Sequence, residues 1–267
     1  MLRYLLCLVL FCAVTQAETL EQAVHGYLAD PDAEAAKPAA KPAPSQPWDI
    51  TAGLGVAYTD GNSNTLTVAF NLDAKKKWGP WKSTTAVRIT YAQSDNIETA
   101  SEWILIERFE RSLSEVASIF FDLWLEHDEF ESLDYRIQPT AGYNRRLVKK
   151  TNFELWGQVG GGFVHNEYRV NPDTEVIGQL GVNWTWQITK QLTYEQVITV
   201  YPSISYGGEG RLVFNAKFTT PISDRIDASL IITDQYNTQP AGNNKHNDVT
   251  VIFSLAIKFT KPPEAKA

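Results

Sequence analysis

The sequence predicts an all-β protein, a transmembrane antiparallel up-and-down β-barrel of about twelve strands. Segments with a period of two recur from Trp48 to Phe259, turn-forming residues separate them, and an apparent export signal precedes them all. Because successive strand residues point to opposite faces, the last segment places six apolar side chains on one face. These six are Val249, Val251, Phe253, Leu255, Ile257 and Phe259. Exported chains with many alternating strands of about ten residues are typical of outer-membrane barrels.

The first 17 residues have the pattern of a secretory signal peptide. Arg3 supplies a positive charge, residues 4–14 are almost all apolar, and Ala17 offers a small residue for cleavage. The apolar run is shorter than the ~20 residues that a transmembrane helix needs. Both cysteines, Cys7 and Cys12, lie within it, so the mature chain is expected to have no disulfide and no thiol chemistry.

The overall charge argues against nucleic acid as a partner. The chain carries 24 basic and 31 acidic residues, so without Arg3 the counts are 23 and 31 and the net charge is −8. A nucleic-acid-binding protein needs a basic face. If the chain is integral to a membrane, we expect a closed barrel, because lipid offers no partner for backbone polar groups. Composition alone also allows one soluble all-β domain.

Residues 18–47 are predicted to form a region separate from the barrel. The pattern allows a short helix at 19–28, and the Ala- and Pro-rich stretch that follows favours an extended periplasmic linker. A disordered leader is the simpler interpretation. The alternative is an arm that binds a partner or enters the lumen. Residues 48–259 form the predicted barrel, and 260–267 form a short C-terminal tail.

The alternating segments predict twelve strands, and we expect short periplasmic turns with longer outer loops, including one at 93–100. Glu107 shares one face of the fourth strand with apolar side chains and Arg108 shares the other, so the pattern does not orient this strand. The strands are predicted near 48–59, 65–74, 82–92, 101–111, 117–127, 135–146, 153–165, 174–187, 192–201, 211–220, 226–235 and 248–259.

The apolar faces of these strands carry aromatic side chains near both strand ends, which is typical of membrane-interface girdles. A soluble barrel also alternates, so that alternative stays open from sequence. The aromatic residues are Trp48, Tyr58, Tyr91, Tyr135, Tyr143, Phe153, Phe163, Trp184 and Trp186.

Several short motifs in a fixed order resemble one known family. They are Gly53-x-Gly55, Thr59-x-Gly61-Asn62-Ser63-x-Thr65, Trp81, the stretch 122–130, Arg136, Gly142-Tyr143 and the C-terminal strand. Over residues 48–259 the chain resembles the YdiY-like salt-induced outer-membrane proteins, a family defined by a domain of unknown function. The resemblance implies an outer-membrane barrel and a link to salt or envelope stress, and it supplies no catalytic residues.

Charged residues on the polar strand faces are the candidate lumen and selectivity residues. A network of opposite charges would fill and brace the barrel, because unpaired charge in a narrow lumen is costly. The alternative is a narrow channel whose acidic excess favours cations. Twelve strands are compatible with either. The candidates are Asp73, Arg88, Asp122, Glu126, Arg136, Glu154, Glu195, Lys217 and Asp227, with Glu175 and Lys258 on the same faces.

Catalytic and metal-binding motifs are weak. His127 and Asp128 could form a general-base pair at the barrel rim, as in some outer-membrane proteases, and His165 or His246 could add metal ligands. No specific partner supports either hypothesis, and the glycine run 160–162 lacks the Lys-Ser/Thr of a phosphate loop. We therefore predict no enzyme, no metal and no cofactor.

The sequence thus predicts a barrel in the outer membrane of a Gram-negative bacterium. The first functional hypothesis is a narrow channel or envelope-integrity protein, linked to salt or osmotic stress by the resemblance. The alternative is a plugged structural or binding barrel that works through its outer loops or its leader, and a rim-located hydrolase ranks third. Expected partners are outer-membrane lipid, the barrel-insertion machinery and small ions or solutes.

Overall fold

The computed structural model describes residues 47–59, 65–169, 171–240 and 245–259. The predicted signal peptide, the linker up to residue 46, the tip of the first hairpin and the tail 260–267 lie outside the described residues. Within the described part, no helix is long and apolar enough to cross a membrane.

Twelve antiparallel strands form one closed barrel in which each strand pairs with its neighbours in sequence and β1 pairs with β12, so the predicted fold is confirmed. The strands are β1 Asp49–Thr59, β2 Thr65–Trp78, β3 Trp81–Ser94, β4 Ile97–Ser114, β5 Ala117–Asp128, β6 Leu133–Lys149, β7 Phe153–Tyr168, β8 Asp173–Gln187, β9 Thr193–Pro202, β10 Gly210–Pro221, β11 Ile226–Asn237 and β12 Asn247–Lys258. We call the end with Asp49 and Lys258 the turn end, and the opposite end the loop end.

The expected outer loop at 93–100 is wrong. Strands β3 and β4 continue into this stretch, and only Asp95 and Asn96 connect them. Their φ angles are 50° and 62°, so both residues adopt the left-handed conformation. A two-residue type I′ hairpin requires positive φ at both central positions, and Asp and Asn tolerate it better than other non-glycine residues. The Asp-Asn pair was therefore a hairpin signal rather than part of a loop.

The barrel wall is apolar outside and polar inside. In β12 the outward side chains Val251 and Phe253 are 62% and 70% exposed, whereas the inward Ser254 and Ala256 are 1% and 3% exposed. A water-soluble barrel would bury its apolar face and expose its polar face. The inverted distribution, with exposed aromatic side chains such as Tyr91 and Trp186 near strand ends, is that of a transmembrane barrel.

Strand pairing orients the fourth strand. Arg108 points into the lumen, where it donates to Gln158 on β7, so its neighbour Glu107 faces the outer wall. Glu107 lies beside Thr85 on β3 and is only 9% exposed. Its carboxylate accepts hydrogen bonds from Ser83 Oγ at 2.7 Å and Thr85 Oγ1 at 2.5 Å. These bonds satisfy a carboxyl group that would be costly in an apolar wall if left unpaired.

Glycines let strands β6 and β7 approach closely. A Cβ atom at Gly162 would clash with the carbonyl oxygen of Pro139, and one at Gly160 would clash with that of Ala141. Backbone atoms cannot move aside as a flexible side chain could. The glycine run 160–162 therefore has a structural role in the wall, because its members sit where a side chain would meet the neighbouring backbone.

Candidate functional site: a polar network across the lumen

A buried ion-pair cluster lies in the lumen toward the loop end. Glu126 on β5 is 2% exposed, and its Oε2 accepts hydrogen bonds from Arg136 Nη1 at 2.6 Å and Trp124 Nε1 at 2.8 Å. Arg136 is itself held by Asn166, whose Oδ1 accepts from the guanidinium Nε at 2.7 Å. Buried charge of this kind is tolerated only when its partners are in place. The structure thus brings together two of the predicted lumen residues.

Arg211 joins this cluster from a strand on the other side of the lumen. It lies on β10, which four strands separate from β5 in the ring, so its bond to Glu126 crosses the lumen. Nη1 donates to Glu126 Oε2 at 3.2 Å and Nη2 donates to Gln138 Oε1 on β6 at 2.7 Å. The guanidinium also lies over the rings of Trp124 and Tyr201, at 4.7 Å and 5.3 Å from their centroids.

A second layer crosses the middle of the barrel. Asp122 on β5 accepts from Gln179 Nε2 on β8 at 3.4 Å and lies 3.5 Å from Arg108 Nε on β4. Arg108 also donates to Gln158 Oε1 on β7 at 2.9 Å, and Gln158 donates to Thr199 on β9 at 3.3 Å. These contacts involve five strands. The hydrogen bonds connect strands that are not adjacent in the ring, namely β8 with β5, β4 with β7 and β7 with β9, whereas the Arg108–Asp122 ion pair connects the neighbouring strands β4 and β5.

A third layer, near the turn end, contains most of the remaining predicted lumen residues. Arg88 Nη2 donates to Asp73 Oδ1 at 2.8 Å, and Lys217 Nζ lies 3.6 Å from the other carboxylate oxygen. Lys258 Nζ donates to Asp227 Oδ1 at 2.8 Å. These groups are more exposed than the loop-side cluster, with side-chain exposures of 16–31%. This layer is therefore more accessible to solvent than the loop-side cluster.

The other two predicted lumen residues do not cross the barrel. Glu154 pairs with Arg146 on the adjacent strand, with 3.1 Å between Oε1 and Nη1, and its side chain is 40% exposed. Glu195 lines a cavity of about 200 Å³ at the turn end. Its other charged lining residues are Asp49, Asp73, Lys75, Lys217 and Asp227.

A separate cavity of about 150 Å³ lies at the loop end, above the ion-pair cluster. Arg136, Arg211 and Tyr201 are among its lining residues, and Glu175 and Glu209 are two of the acidic ones. The lumen therefore has a polar cavity at each end, with the side-chain layers between them.

An acidic cluster lies at the loop end of the wall. Asp128, Glu131 and Asp248 offer carboxylate oxygens within 4.8 Å of one another. Burial raises the pKa of Glu131 to about 6, and the nearby carboxylates add to this rise against the opposing charge of Arg136. Each residue brings one carboxylate oxygen to this cluster, which makes three of the six to eight oxygens that Ca²⁺ takes. They could supply only part of a site for a hard cation.

The proposed rim pair of His127 and Asp128 does not form. His127 faces outward and its Nδ1 lies 2.9 Å from the carbonyl oxygen of Asp134. Asp128 is inward and buried, where it accepts hydrogen bonds from the backbone amides of Phe130 and Glu131. Adjacent strand residues point to opposite faces, so a histidine and an aspartate in sequence cannot share one site here.

In the part of the chain that the structure describes, the other two histidines are held by their own neighbours. His165 lies 2.7 Å from Thr174 Oγ1, and His246 lies 2.8 Å from the carbonyl oxygen of Asn237. Neither belongs to the acidic cluster described above.

Sequence reasoning missed Arg108, Arg211, Gln158 and Gln179. Arg108 was unassigned because the fourth strand could not be oriented. Arg211 shares the period-two face of Lys217, which was a usable signal. The two glutamines looked like ordinary inward polar residues. Their cross-lumen partners lie 50 and 57 residues away in sequence, so only the closed ring brings them together.

Comparison with known families decides where this chain belongs. The model of the family described as "Protein of unknown function, DUF481" matches residues 52–259. The chain belongs to this family. The region matched in this DUF481 member includes all the cross-lumen bonds described above. The narrower name given by the sequence resemblance, and its salt-induced character, are not shown by this match.

Other comparisons add distant structural likenesses to this DUF481 protein. A search of curated proteins finds no match. The solved NanC porin is 10% identical, with a TM-score of 0.47 over 79% of this chain and 99% of that one. A KdgM porin in complex with disordered oligogalacturonate is 9% identical, with a TM-score of 0.43 over 79% and 98%. The translocator domain of autotransporter NalP from Neisseria meningitidis is 7% identical, with a TM-score of 0.41 over 93% and 95%. These values are too low to carry an argument about function.

Proposed function

We propose that this protein is an outer-membrane barrel of a Gram-negative bacterium whose own side chains seal the lumen. Its role is then structural or binding, exerted through the wall and the loop end rather than through a constitutive pore. The membrane location is supported by the exposed apolar outer wall and by the export signal predicted at residues 1–17. The barrel-insertion machinery is the expected route into the membrane.

One observation carries this proposal: Arg211 bridges nearly opposite strands of the barrel. Its bonds to Glu126 and Gln138 cross the lumen, and both acceptors are at most 3% exposed. The side chains beneath it, among them Phe120 at 4% and Gln179 at 1% exposed, fill the next layer. An ion crossing this region would have to displace paired, buried charges, which is costly.

Conductance in planar bilayers tests the seal. We expect refolded, heat-modifiable wild-type protein to carry no steady current, and Arg211→Ala to produce discrete openings. The matched control is Arg146→Ala, because Arg146 bonds Glu154 on the adjacent strand and does not cross the lumen. Steady current through the wild type would overturn the proposal. Equal silence of both variants would show that Arg211 does not form the seal.

A narrow cation channel is the second candidate, and the turn-end cavity favours it. Its charged lining contains four carboxylates, Asp49, Asp73, Glu195 and Asp227, against two lysines. Acidic rings of this type select cations. If the wild type conducts, its cation preference can be measured across a salt gradient. A preference that weakens in Asp73→Asn and Glu195→Gln would support the cation channel in place of the sealed barrel.

The link to salt or osmotic stress rests on the family resemblance alone, and we carry it forward as a role in envelope integrity. A deletion strain should then lose viability in high salt and recover with the wild-type gene. We propose no enzymatic role, because His127 and Asp128 lie on opposite faces of β5. Restoration of envelope function by His127→Ala would support this view, and its failure would reopen catalysis.

A further inference from the structure

Three basic side chains face outward near the turn end of the barrel, and the geometry points to them as a binding surface for anionic phospholipid headgroups. They are Lys76 on β2, Arg111 on β4 and Arg145 on β6. We call them the basic belt. Lys76 pairs with Ser83, and Arg111 pairs with Trp81, on the outward face of β3. The inference concerns the outer wall and does not depend on whether the lumen is sealed.

The three residues lie at nearly one height on the wall. Lys76 on β2 pairs with Ser83 on β3, which in turn pairs with Phe109 on β4. Arg111 lies two residues beyond Phe109 in the direction of the turn end. Arg111 pairs with Ile119 on β5, which pairs with Tyr143 on β6. Arg145 again lies two residues beyond this partner in the direction of the turn end. The strands of a closed barrel are tilted and staggered, so a line of constant height shifts along the register from strand to strand. The basic belt follows that shift over four strand steps.

Tryptophans place the belt at a membrane interface. Lys76 Nζ lies 5.2 Å from the centroid of the Trp48 ring, and the Arg111 guanidinium lies 5.5 Å from that of Trp81. Tryptophan prefers the level of the headgroups, so it marks the depth of the cations beside it. Among the described residues, no carboxylate forms a salt bridge with Lys76, Arg111 or Arg145. Their charge is therefore available to a partner in the membrane.

The belt covers only one side of the barrel. At the corresponding height on β8 to β10 the outer wall carries aromatic side chains, where Tyr194 lies 6.3 Å from Trp184 and 4.6 Å from Phe218 between ring centroids. On the outward faces of the strands, an anionic lipid would therefore find its phosphate partners on β2 to β6. Guanidinium and ammonium groups bind phosphate oxygens by charge-assisted hydrogen bonds. A zwitterionic headgroup lacks the net negative charge that three unpaired cations favour.

Association of spin-labelled lipids with the reconstituted full-length protein tests this surface. We expect phosphatidylglycerol to associate with the wild type at least about fivefold more strongly than phosphatidylcholine at low salt. A factor of about five is what one basic side chain near an anionic surface contributes. Added salt should reduce the ratio, because it screens exposed charges. The variant Lys76→Gln/Arg111→Gln/Arg145→Gln should bring the ratio close to one.

The matched control removes the same charge elsewhere. Lys190→Gln/Arg225→Gln/Lys245→Gln changes three exposed basic residues in connections between strands, so it should keep the preference. If this control loses the preference equally, net charge rather than the basic belt attracts the lipid. Equal association of both lipids with the wild type would also overturn the inference. If the triple belt variant does not refold, the three single variants decide, each with an expected partial loss.

Discussion

Replacing Glu126 by glutamine should destabilise the barrel strongly. The carboxylate Oε2 accepts from Trp124, Arg136 and Arg211, and Glu126 is 2% exposed. Glutamine removes the negative charge and puts an amide donor beside groups that are themselves donors. Arg136 and Arg211 would then face each other in the lumen without the carboxylate that bonds both of them.

The expected loss follows from this burial. Removing one partner of a buried ion pair costs about 3–5 kcal/mol, because the remaining charge is left uncompensated. Glu154→Gln is the matched control, since Glu154 also pairs with an arginine but is 40% exposed. A pair exposed to that degree contributes about 0–1 kcal/mol. The two substitutions have the same chemistry and should differ only through burial and the number of partners.

Reversible urea unfolding in phospholipid vesicles, followed by tryptophan fluorescence, measures both variants. We expect the free energy of unfolding to fall by about 3–5 kcal/mol for Glu126→Gln and by no more than about 1 kcal/mol for Glu154→Gln. The reasoning fails if the two losses are equal, or if Glu126→Gln unfolds at the wild-type urea concentration. Either result would mean that water or rearrangement compensates the buried guanidinium groups.

Three further predictions concern single positions. Glu131→Gln should stabilise the protein by about 2 kcal/mol above pH 6, because the pKa of Glu131 is about 6 in the fold against 4.5 in the unfolded chain, so its ionisation opposes folding. The gain should vanish below about pH 4.5, where the carboxyl group is protonated in both states. Free energies of unfolding measured across pH test this. Gly162→Ala should lower the free energy of unfolding by at least about 1–3 kcal/mol, since its Cβ meets a backbone carbonyl, whereas Gly207→Ala, with open space around it, should change little. Asn96→Gly should be neutral or stabilising, and Asn96→Val should destabilise the protein by about 1 kcal/mol or more, because valine tolerates positive φ poorly. Urea midpoints measure both effects, and equal midpoints for the two variants would contradict the left-handed turn.

Much of the barrel followed from local pattern. Period-two alternation located all twelve strands, since a strand with one face in lipid and one in the lumen must alternate. It failed where alternation is broken by compensated polar groups. Glu107 lies on the outer face of β4 because Ser83 and Thr85 donate to it, and no local rule reveals that compensation.

The candidate site was only half predictable. Sequence could mark Glu126 and Arg136 as inward-facing charges, because facing is a property of one strand. It could not show that Arg211 completes their cluster, since 85 residues separate it from Glu126. The sequence by itself determined the architecture, the inward or outward orientation of most side chains and the apolar outer wall. Only the tertiary structure decided which charges meet across the lumen, because ring closure sets the distances between strands that are remote in the chain.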